Sequence, residues 1–263
     1  MSVPLFTVDA FTDKPFGGNP AAVCLLDSPR DDTWLQLVAR EMNLSETAYV
    51  WPEAGEFRLR WFTPTVEVKL CGHATLATSH VLWSEGRADA SKPIAFHTLS
   101  GRLTAARSGE LIELDFPLAP AEEAPPPPGM LAALGVQATF VGRSCFDYLV
   151  EVASEAEVLA SKPDYARLGQ IPVRGVILTS RAATGEFDFV SRFFAPAVGV
   201  DEDPVCGSAH CCLGAHWQAR LGKSELLAHQ ISERGGVVRV RVVGDRAMLA
   251  GHAVTVTKGT LLA

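Results

Sequence analysis

The sequence predicts an α+β fold with two pseudo-symmetric domains, each a barrel-like, mostly antiparallel sheet around a central helix. Three observations predict this class. The chain contains an internal repeat, each copy of the repeat leads into a helix that is apolar on nearly every side, and many short strands flank each helix. A helix without a polar face is a buried helix, so a sheet is expected to surround it.

The repeat relates residues 60–75 to residues 192–210. At a constant offset of 132, the residues Arg60, Phe62, Pro64, Val66 and Val68 match Arg192, Phe194, Pro196, Val198 and Val200. Cys71-Gly72 then matches Cys206-Gly207 at an offset of 135, so the second copy carries three extra residues before its helix. This pattern indicates one duplicated unit with two matching strand-to-helix corners.

In the first half, alternating or apolar runs bounded by Gly, Pro and Asn predict short strands. They cover residues 5–11, 21–26, 46–50, 57–62, 66–70, 94–99, 102–107 and 111–116. A helix opens at Ser28-Pro29, where proline is tolerated in the first turn, and keeps an apolar face to Met42. The first central helix is predicted from His73 to about Glu85, and most of its residues are apolar.

Residues 117–129 hold six prolines and two glutamates with little to bury, which is typical of a linker. We therefore expect an N-terminal barrel domain (1–118), a proline-rich linker (119–129) and a C-terminal barrel domain (130–263), whose last strand is a candidate to return to the first domain. The second half repeats the plan, with helices predicted at 129–134, 164–168 and 207–221. Its predicted strands cover residues 139–141, 148–152, 175–179, 187–194, 237–243, 248–252 and 254–257.

Composition excludes several classes of function. The chain has 263 residues, is 48% hydrophobic and 20% charged, and carries a net charge of −7 without a basic run. We therefore expect no nucleic-acid partner and no membrane partner. The N-terminus shows no signal-peptide pattern, which predicts a cytoplasmic protein whose six cysteines are free thiols.

The two predicted helix starts are candidate anion-binding sites. The first turn of a helix offers unpaired N–H groups and a positive end, and Gly72 and Gly207 would let a ligand approach the backbone closely. Two such corners related by pseudo-symmetry predict one site for a small anionic substrate in the inter-domain cleft. The plainer interpretation is that both glycines only make tight turns.

Two acids are candidates for proton transfer. Glu46 stands alone at the start of a strand, and Asp203 lies within the insertion that distinguishes the second corner. Two carboxylates near a cleft can divide acid and base roles between them. The alternative for Asp203 is a helix N-cap, a common role for aspartate.

Cys71 and Cys206 occupy the same place in the two copies, at helix starts where the pKa of a thiol falls. A facing pair of thiols could pass a proton across a carbon centre, while the alternative is two small buried hydrophobic residues. His73, at the first helix start, is a candidate proton carrier or simply a packed side chain.

Metal and nucleotide sites are not expected. The spacing of Asp203, Cys206, His210 and Cys211 is not one that binds zinc, and the sequence has no second group of ligands that would complete a site with them. The sequence has no phosphate-binding loop, dinucleotide fingerprint or nucleophile elbow. We therefore predict an enzyme that uses no metal and no cofactor.

Several motifs together resemble the PhzF-like family of phenazine-biosynthesis isomerases. They are residues 8–11, 16–23, 41–47, 62–75 and 201–209, which follow in the family's order and cover both halves of the chain. The resemblance implies a diaminopimelate-epimerase-like fold, with the active site between two similar domains. It also implies a cofactor-independent isomerase of a biosynthetic process.

The resemblance implies roles for single residues. Glu46 matches the proton acceptor and donor, while His73 and Asp203 match its catalytic partners. Gly207 and Ser208 match residues that hold the substrate carboxylate, and we assign Asn19 and Gly72 to substrate binding as well. Cys71 and Cys206 depart from the pattern, because they look like the cysteine pair of related epimerases, which the phenazine enzyme lacks.

Three functions therefore stay open. The first is an isomerase in which Glu46 removes and returns a proton on a small carboxylic acid. The second is an amino-acid epimerase or racemase that uses the thiols of Cys71 and Cys206. The third is a non-catalytic protein that binds a small ligand or a partner. The sequence names no substrate, and it leaves open whether the chain forms a homodimer.

Overall fold

A computed structural model describes residues 2–262, which fold into two compact units. The first unit extends to Asp115 and also contains the chain from Ala250 onward, and the second unit is Phe116–Leu249. The α+β class is confirmed. No helix among residues 2–262 is both long enough and apolar enough to cross a membrane.

The first unit is a sheet with two helices. Its strands are β1 (Val3–Ala10), β2 (Asn19–Leu25), β3 (Glu46–Glu53), β4 (Glu56–Phe62), β5 (Glu67–Val68), β6 (Ile94–Thr98), β7 (Gly101–Ser108), β8 (Leu111–Pro117) and β18 (Ala253–Leu261), and its helices are α1 (Asp32–Met42) and α2 (Gly72–Ser84). β1 pairs antiparallel with both β18 and β2. From β2 to β8 the pairings are β2–β3 parallel, β3–β4 antiparallel, β4–β6 parallel, and β6–β7 and β7–β8 antiparallel.

The second unit follows the same plan. Its strands are β9 (Glu122–Glu123), β10 (Phe140–Arg143), β11 (Asp147–Glu151), β12 (Gly175–Arg181), β13 (Phe189–Ala195), β14 (Val200–Asp203), β15 (Glu225–Gln230), β16 (Gly236–Val243) and β17 (Arg246–Gly251), and its helices are α3 (Met130–Leu134), α4 (Glu155–Ala160), α5 (Tyr165–Leu168), a 3₁₀ turn (Pro196–Val198) and α6 (Gly207–Leu221). The order β10–β11–β12–β13–β15–β16 alternates antiparallel and parallel pairs as β1–β2–β3–β4–β6–β7 does.

The repeated Arg-x-Phe motif has the same structural role in each unit. The guanidinium of Arg60 makes two bonds of 2.7 Å to Glu67 and lies 5.0 Å from the ring of Phe62. Arg192 does the same, with bonds of 2.7 and 2.8 Å to Glu202 and a distance of 4.8 Å to the ring of Phe194. Each motif therefore ties two neighbouring strands together just before the central helix.

The central helices are buried because their residues are small or apolar. In α2, ten of thirteen residues are buried, among them three hydroxyl residues that would otherwise leave polar groups unpaired. Thr75, Thr78 and Ser79 each donate to the carbonyl four residues earlier, which satisfies these groups within the helix. In α6, a Cβ added at Gly214 would lie 2.7 Å from a methyl group of Val240 on β16, so the helix packs directly on the sheet.

Five elements were not predicted from the sequence: β9, β14, β15, α4 and the 3₁₀ turn Pro196–Val198. The signal for α4 is present, because Ser154 and Glu157 form the Ser-x-x-Glu capping pattern and the Ser154 hydroxyl accepts from the Glu157 N–H at 3.3 Å. β9 lies inside the predicted linker and pairs with β10. The division of the chain at residues 119–129 stays a prediction.

Candidate functional site

Five predicted site residues meet at one corner of the first unit. Asn19 is the first residue of β2 and Glu46 is the first residue of β3. The two strands are parallel, with Ala21 opposite Glu46, so their starts lie at the same edge of the sheet. The N-terminus of α2, at Cys71, Gly72 and His73, lies at this edge, because the His73 ring contacts both Asn19 and Glu46.

His73 is the centre of this corner. Its Nε2 lies 3.2 Å from Oε2 of Glu46, and its Nδ1 lies 3.2 Å from the amide nitrogen of Asn19 and 3.6 Å from the sulfur of Cys71. Ser45 donates to the amide oxygen of Asn19 at 3.2 Å, which holds that amide in place. Asn19 is fully buried, and the His73 side chain is 5% exposed against 18% for Glu46.

The contact between Glu46 and His73 has the distance of an ion pair but not the direction of a hydrogen bond. Oε2 of Glu46 is buried and has no hydrogen-bond partner among the described residues. A buried carboxylate oxygen without a donor keeps its lone pairs available, which a general base requires.

The protonation of the corner follows from burial and charge. Burial alone would lower the pKa of the His73 imidazole, but the ionised forms of Cys71 and Glu46, and the contact of the ring with the Cys71 sulfur, favour the protonated ring and hold its pKa well above the usual value. Burial, followed by the charge of Glu46, raises the pKa of the Cys71 thiol to about 11. The ring nitrogen Nδ1 has an amide donor in Asn19 and a sulfur acceptor in Cys71, so both of its protonation states find a partner.

The matching corner of the second unit carries different chemistry. The guanidinium of Arg174 donates from Nε to Asp147 at 2.9 Å, with a second bond from Nη2 to the same carboxylate, and from Nη2 to the hydroxyl of Ser208 at 2.9 Å. Asp147 is 1% exposed, and burial, opposed by Arg174, raises the pKa of its carboxyl group. The Cys206 sulfur lies 3.3 Å from the Ser208 hydroxyl. The positively charged guanidinium of Arg174 therefore holds the Ser208 hydroxyl at the start of α6.

The strand registers show which residues correspond. Arg60 and Arg192 are equivalent in the repeat, and they pair with Tyr49 and Leu178, so Tyr49 corresponds to Leu178. Three residues earlier in the same two strands, Glu46 therefore corresponds to Gly175. By the same count, Ser45 corresponds to Arg174. At the helix start His73 corresponds to Ser208. Where the first corner has the acid Glu46, the second has Gly175, and where the first has the imidazole of His73, the second has the hydroxyl of Ser208. Arg174 takes the place of Ser45.

Asp203 and Cys206 are fixed by the approach to α6. The Asp203 carboxylate accepts from the Val205 N–H at 3.1 Å, and its carbonyl accepts from the side chain of Gln230 at 2.6 Å. Gln230 also accepts from the Cys206 N–H at 3.0 Å. Burial, and then the charge of Asp203, raises the pKa of Cys206 well above its usual value.

The structure thus places the predicted residues in two groups. Asn19, Glu46, Cys71, Gly72 and His73 belong to the first unit, while Asp203, Cys206, Gly207 and Ser208 belong to the second. Their catalytic and binding roles stay predictions. Sequence reasoning missed Asp147, Arg174 and Gln230, which only strand pairing and the fold bring to the second corner.

The donor set for a metal differs from the one considered in the sequence. His210 donates from Nδ1 to the Cys206 carbonyl at 2.8 Å, and the Cys211 sulfur faces the Gly207 carbonyl at 3.6 Å, so both side chains bond to their own helix. In the first unit, Glu46, Cys71 and His73 each offer one donor atom, and these atoms lie within 4.8 Å of one another.

Comparisons with known proteins agree with this architecture. A family model described as phenazine biosynthesis-like protein, PhzC-PhzF, matches residues 8–259. A protein of Halalkalibacterium halodurans named as an uncharacterized isomerase is 53% identical over 263 residues, covering 100% of this chain and 99% of that protein. A crystal structure of a phenazine biosynthesis protein of the PhzF family from Enterococcus faecalis is 39% identical, with a TM-score of 0.94 and 100% of both chains covered.

A more distant structure shows the fold alone. It is described as a predicted epimerase of Pseudomonas aeruginosa, is 22% identical, covers 99% of both chains and has a TM-score of 0.77. The epimerase-like fold is therefore confirmed, and so, at the level of the family, is the isomerase class of enzyme. The chain belongs to the PhzC-PhzF family of phenazine biosynthesis-like proteins.

Proposed function

We propose that this protein is a cofactor-independent isomerase that moves a proton on a small carboxylic-acid substrate, with Glu46 as the general acid and base. The observation that carries the proposal is the state of the Glu46 carboxylate. Its Oε2 is buried, has no hydrogen-bond donor among the described residues and lies 3.2 Å from the His73 imidazole. Such an oxygen can accept a proton from carbon and return it elsewhere on the same molecule.

His73 supports this proton transfer through its charge. The surroundings of His73 hold the pKa of its imidazole well above the usual value and so favour the protonated ring, and in that form the ring would stabilise the carboxylate of Glu46 before the proton moves. Once Glu46 has taken the proton, the same imidazole can lose its own proton to the surroundings or stabilise negative charge on the substrate. Asn19 keeps the ring oriented, because its amide lies against Nδ1 and is itself held by Ser45.

In this proposal the second corner binds a carboxylate. Backbone N–H groups in the first turn of α6 and the Ser208 hydroxyl are donors of the kind that recognise an anion. Arg174 holds the Ser208 hydroxyl at 2.9 Å and adds positive charge at the same place. Asp203 lies in the turn before this helix and is the second acid of the proposed mechanism.

The alternative of a two-thiol epimerase is weaker. That chemistry needs one of the two thiols as a thiolate. Burial instead raises the pKa of Cys71 to about 11 and that of Cys206 well above its usual value, which disfavours the thiolate at both positions.

The test is proton exchange with solvent. Wild type, Glu46→Gln, Cys71→Ala and Cys206→Ala are incubated in heavy water with a panel of small carboxylic acids, and loss of C–H signals is followed by NMR. Glutamine keeps the shape of the side chain but cannot carry the proton, so Glu46→Gln is expected to lower exchange by at least ~10²-fold. Each thiol variant is expected to lose much less.

The control is Glu41→Gln, which makes the same chemical change at an exposed position of α1 and is expected to leave exchange at the wild-type rate. Inactive thiol variants beside an active Glu46→Gln would establish the two-thiol epimerase instead. No exchange by wild type across a broad panel would favour a non-catalytic binding protein.

A further inference from the structure

The first corner combines three different metal-binding atoms. Glu46 contributes a carboxylate oxygen, Cys71 a sulfur and His73 a ring nitrogen, all within 4.8 Å of one another. Nε2 of His73 lies 3.2 Å from the Glu46 oxygen and 4.0 Å from the Cys71 sulfur. The Glu46 oxygen has no hydrogen-bond partner among the residues described, so a cation would not have to displace a donor from it.

This donor set suits a borderline-soft divalent cation. Sulfur, imidazole nitrogen and carboxylate oxygen are the ligands of zinc, which often takes three protein ligands and leaves a fourth position open. With ordinary zinc bond lengths, tetrahedral ligands lie roughly 3.3 Å apart for N and O and roughly 3.5 Å apart for S and N. The 3.2 Å separation of His73 and Glu46 already fits, while Cys71 would need to move by about half an ångström towards His73.

We propose that Glu46, Cys71 and His73 form an inhibitory binding site for a soft divalent cation of the Zn²⁺ type. The cation forms bonds to the sulfur, the ring nitrogen and the carboxylate oxygen, while the thiol proton and any proton on Nε2 of His73 leave to solvent. No electron transfer is involved. Binding occupies the carboxylate lone pair that proton transfer needs, so the inhibitory effect rests on the proposed function, whereas metal binding itself does not.

The second corner explains why the site belongs to the first unit. Cys206 corresponds to Cys71, but Ser208 stands in the place of His73 and Gly175 in the place of Glu46. The guanidinium of Arg174 bonds to Ser208 at 2.9 Å and would repel a cation. Two cysteines with the same helix position therefore differ in metal binding, which provides a matched control.

The experiment uses Co²⁺ as a spectroscopic probe for the full-length protein after treatment with a chelator. A cobalt–thiolate bond produces a charge-transfer absorption, so a titration reports directly whether a cysteine is a ligand. We expect one Co²⁺ per wild-type chain, displacement by Zn²⁺, loss of the band in Cys71→Ser and full retention in Cys206→Ser. If Cys71→Ser does not fold by circular dichroism, His73→Gln takes its place.

Absence of the thiolate band in folded wild type, or a band that survives in Cys71→Ser, would overturn the site. Equal loss in both cysteine variants would also contradict it. The inhibitory step is tested separately, since one equivalent of Zn²⁺ should abolish proton exchange and a chelator should restore it. Binding is measured without substrate, so failure of the metal site and failure of the proposed isomerase remain distinguishable.

Discussion

We expect any side chain at Gly175 to lower the stability of the protein. It is the first residue of β12 and corresponds by strand register to Glu46. A Cβ added at Gly175 would overlap Cζ of Phe193, and would lie 2.6 Å from Cε2 of the same ring and 3.0 Å from the carbonyl oxygen of Phe194. Phe193 is 4% exposed, so its ring cannot swing out into solvent.

The size of the effect follows from these contacts. Overpacking of a closely packed core destabilises by about 1–3 kcal/mol, and replacing glycine by alanine returns about 0.4–1 kcal/mol by restricting the unfolded chain. We therefore expect Gly175→Ala to lower the free energy of unfolding by roughly 1–2 kcal/mol, which for a chain of this size lowers Tm by about 2–8 °C. The ring of Phe193 lies 5.6 Å from the Arg174 guanidinium, so its displacement should disturb the second corner as well.

The loss of unfolding free energy is measured by urea denaturation of wild type, Gly175→Ala and the control variant Gly185→Ala. Gly185 is an exposed turn residue of the same unit, has no heavy atom within 4 Å of an added Cβ and does not need a positive φ. Its substitution should change stability by no more than about 0.5 kcal/mol. If both variants unfold at the same urea concentration, the ring has room to move, and the steric reason for the missing acid in the second unit is wrong.

Two further predictions follow from the burial or exposure of titratable groups. Burial lowers the pKa of His210 to about 4, so the unfolded chain binds the extra proton between pH 6.5 and 4, and acidification through this window should remove about 3 kcal/mol of stability. In His210→Asn the difference in unfolding free energy between pH 7 and pH 4.5 should shrink, and an unchanged difference would contradict the assignment. Cys145 is exposed while the other five cysteines are buried, so brief iodoacetamide treatment followed by peptide mapping should find Cys145 modified first. Early modification of Cys71 or Cys206 would refute this order.

Most of the fold could be predicted because the duplication repeats its local signals. The second central helix was predicted at 207–221 and is observed at Gly207–Leu221, while the first begins at Gly72, one residue earlier than predicted. β15 was missed because Glu225–Gln230 has no clear alternation. Its strand conformation comes from pairing with β13 and β16, and such long-range pairing cannot be seen in a local sequence pattern.

The candidate site could be predicted only in part. Glu46 and His73 were found from residue type and position, but their 3.2 Å contact depends on the parallel pairing of β2 with β3 and on the position of α2. Arg174 could not be found, since a single arginine before a strand usually lies in solvent. It became visible only with its bonds to Asp147 and Ser208.

The two corners show how one duplicated frame can support different chemistry. In the first unit the frame carries Glu46 and His73, while in the second the ring of Phe193 leaves no space for a side chain at Gly175. In the second unit the acid of the proposed mechanism, Asp203, lies instead in the three-residue insertion before α6. Its arginine and hydroxyl suit an anion rather than proton transfer.

The presence of a cysteine at the same place in both units is best explained by packing at the buried start of each central helix. Cys71 and Cys206 are both N-cap residues without a side-chain capping bond, and each is 6% exposed. A small, weakly polar side chain fits this buried helix start, and its burial works against the thiolate that a catalytic pair would need. The neighbours of the two thiols differ, with an imidazole and a carboxylate at one and an arginine-bound hydroxyl at the other. Symmetry of the cysteines therefore does not imply symmetry of the chemistry.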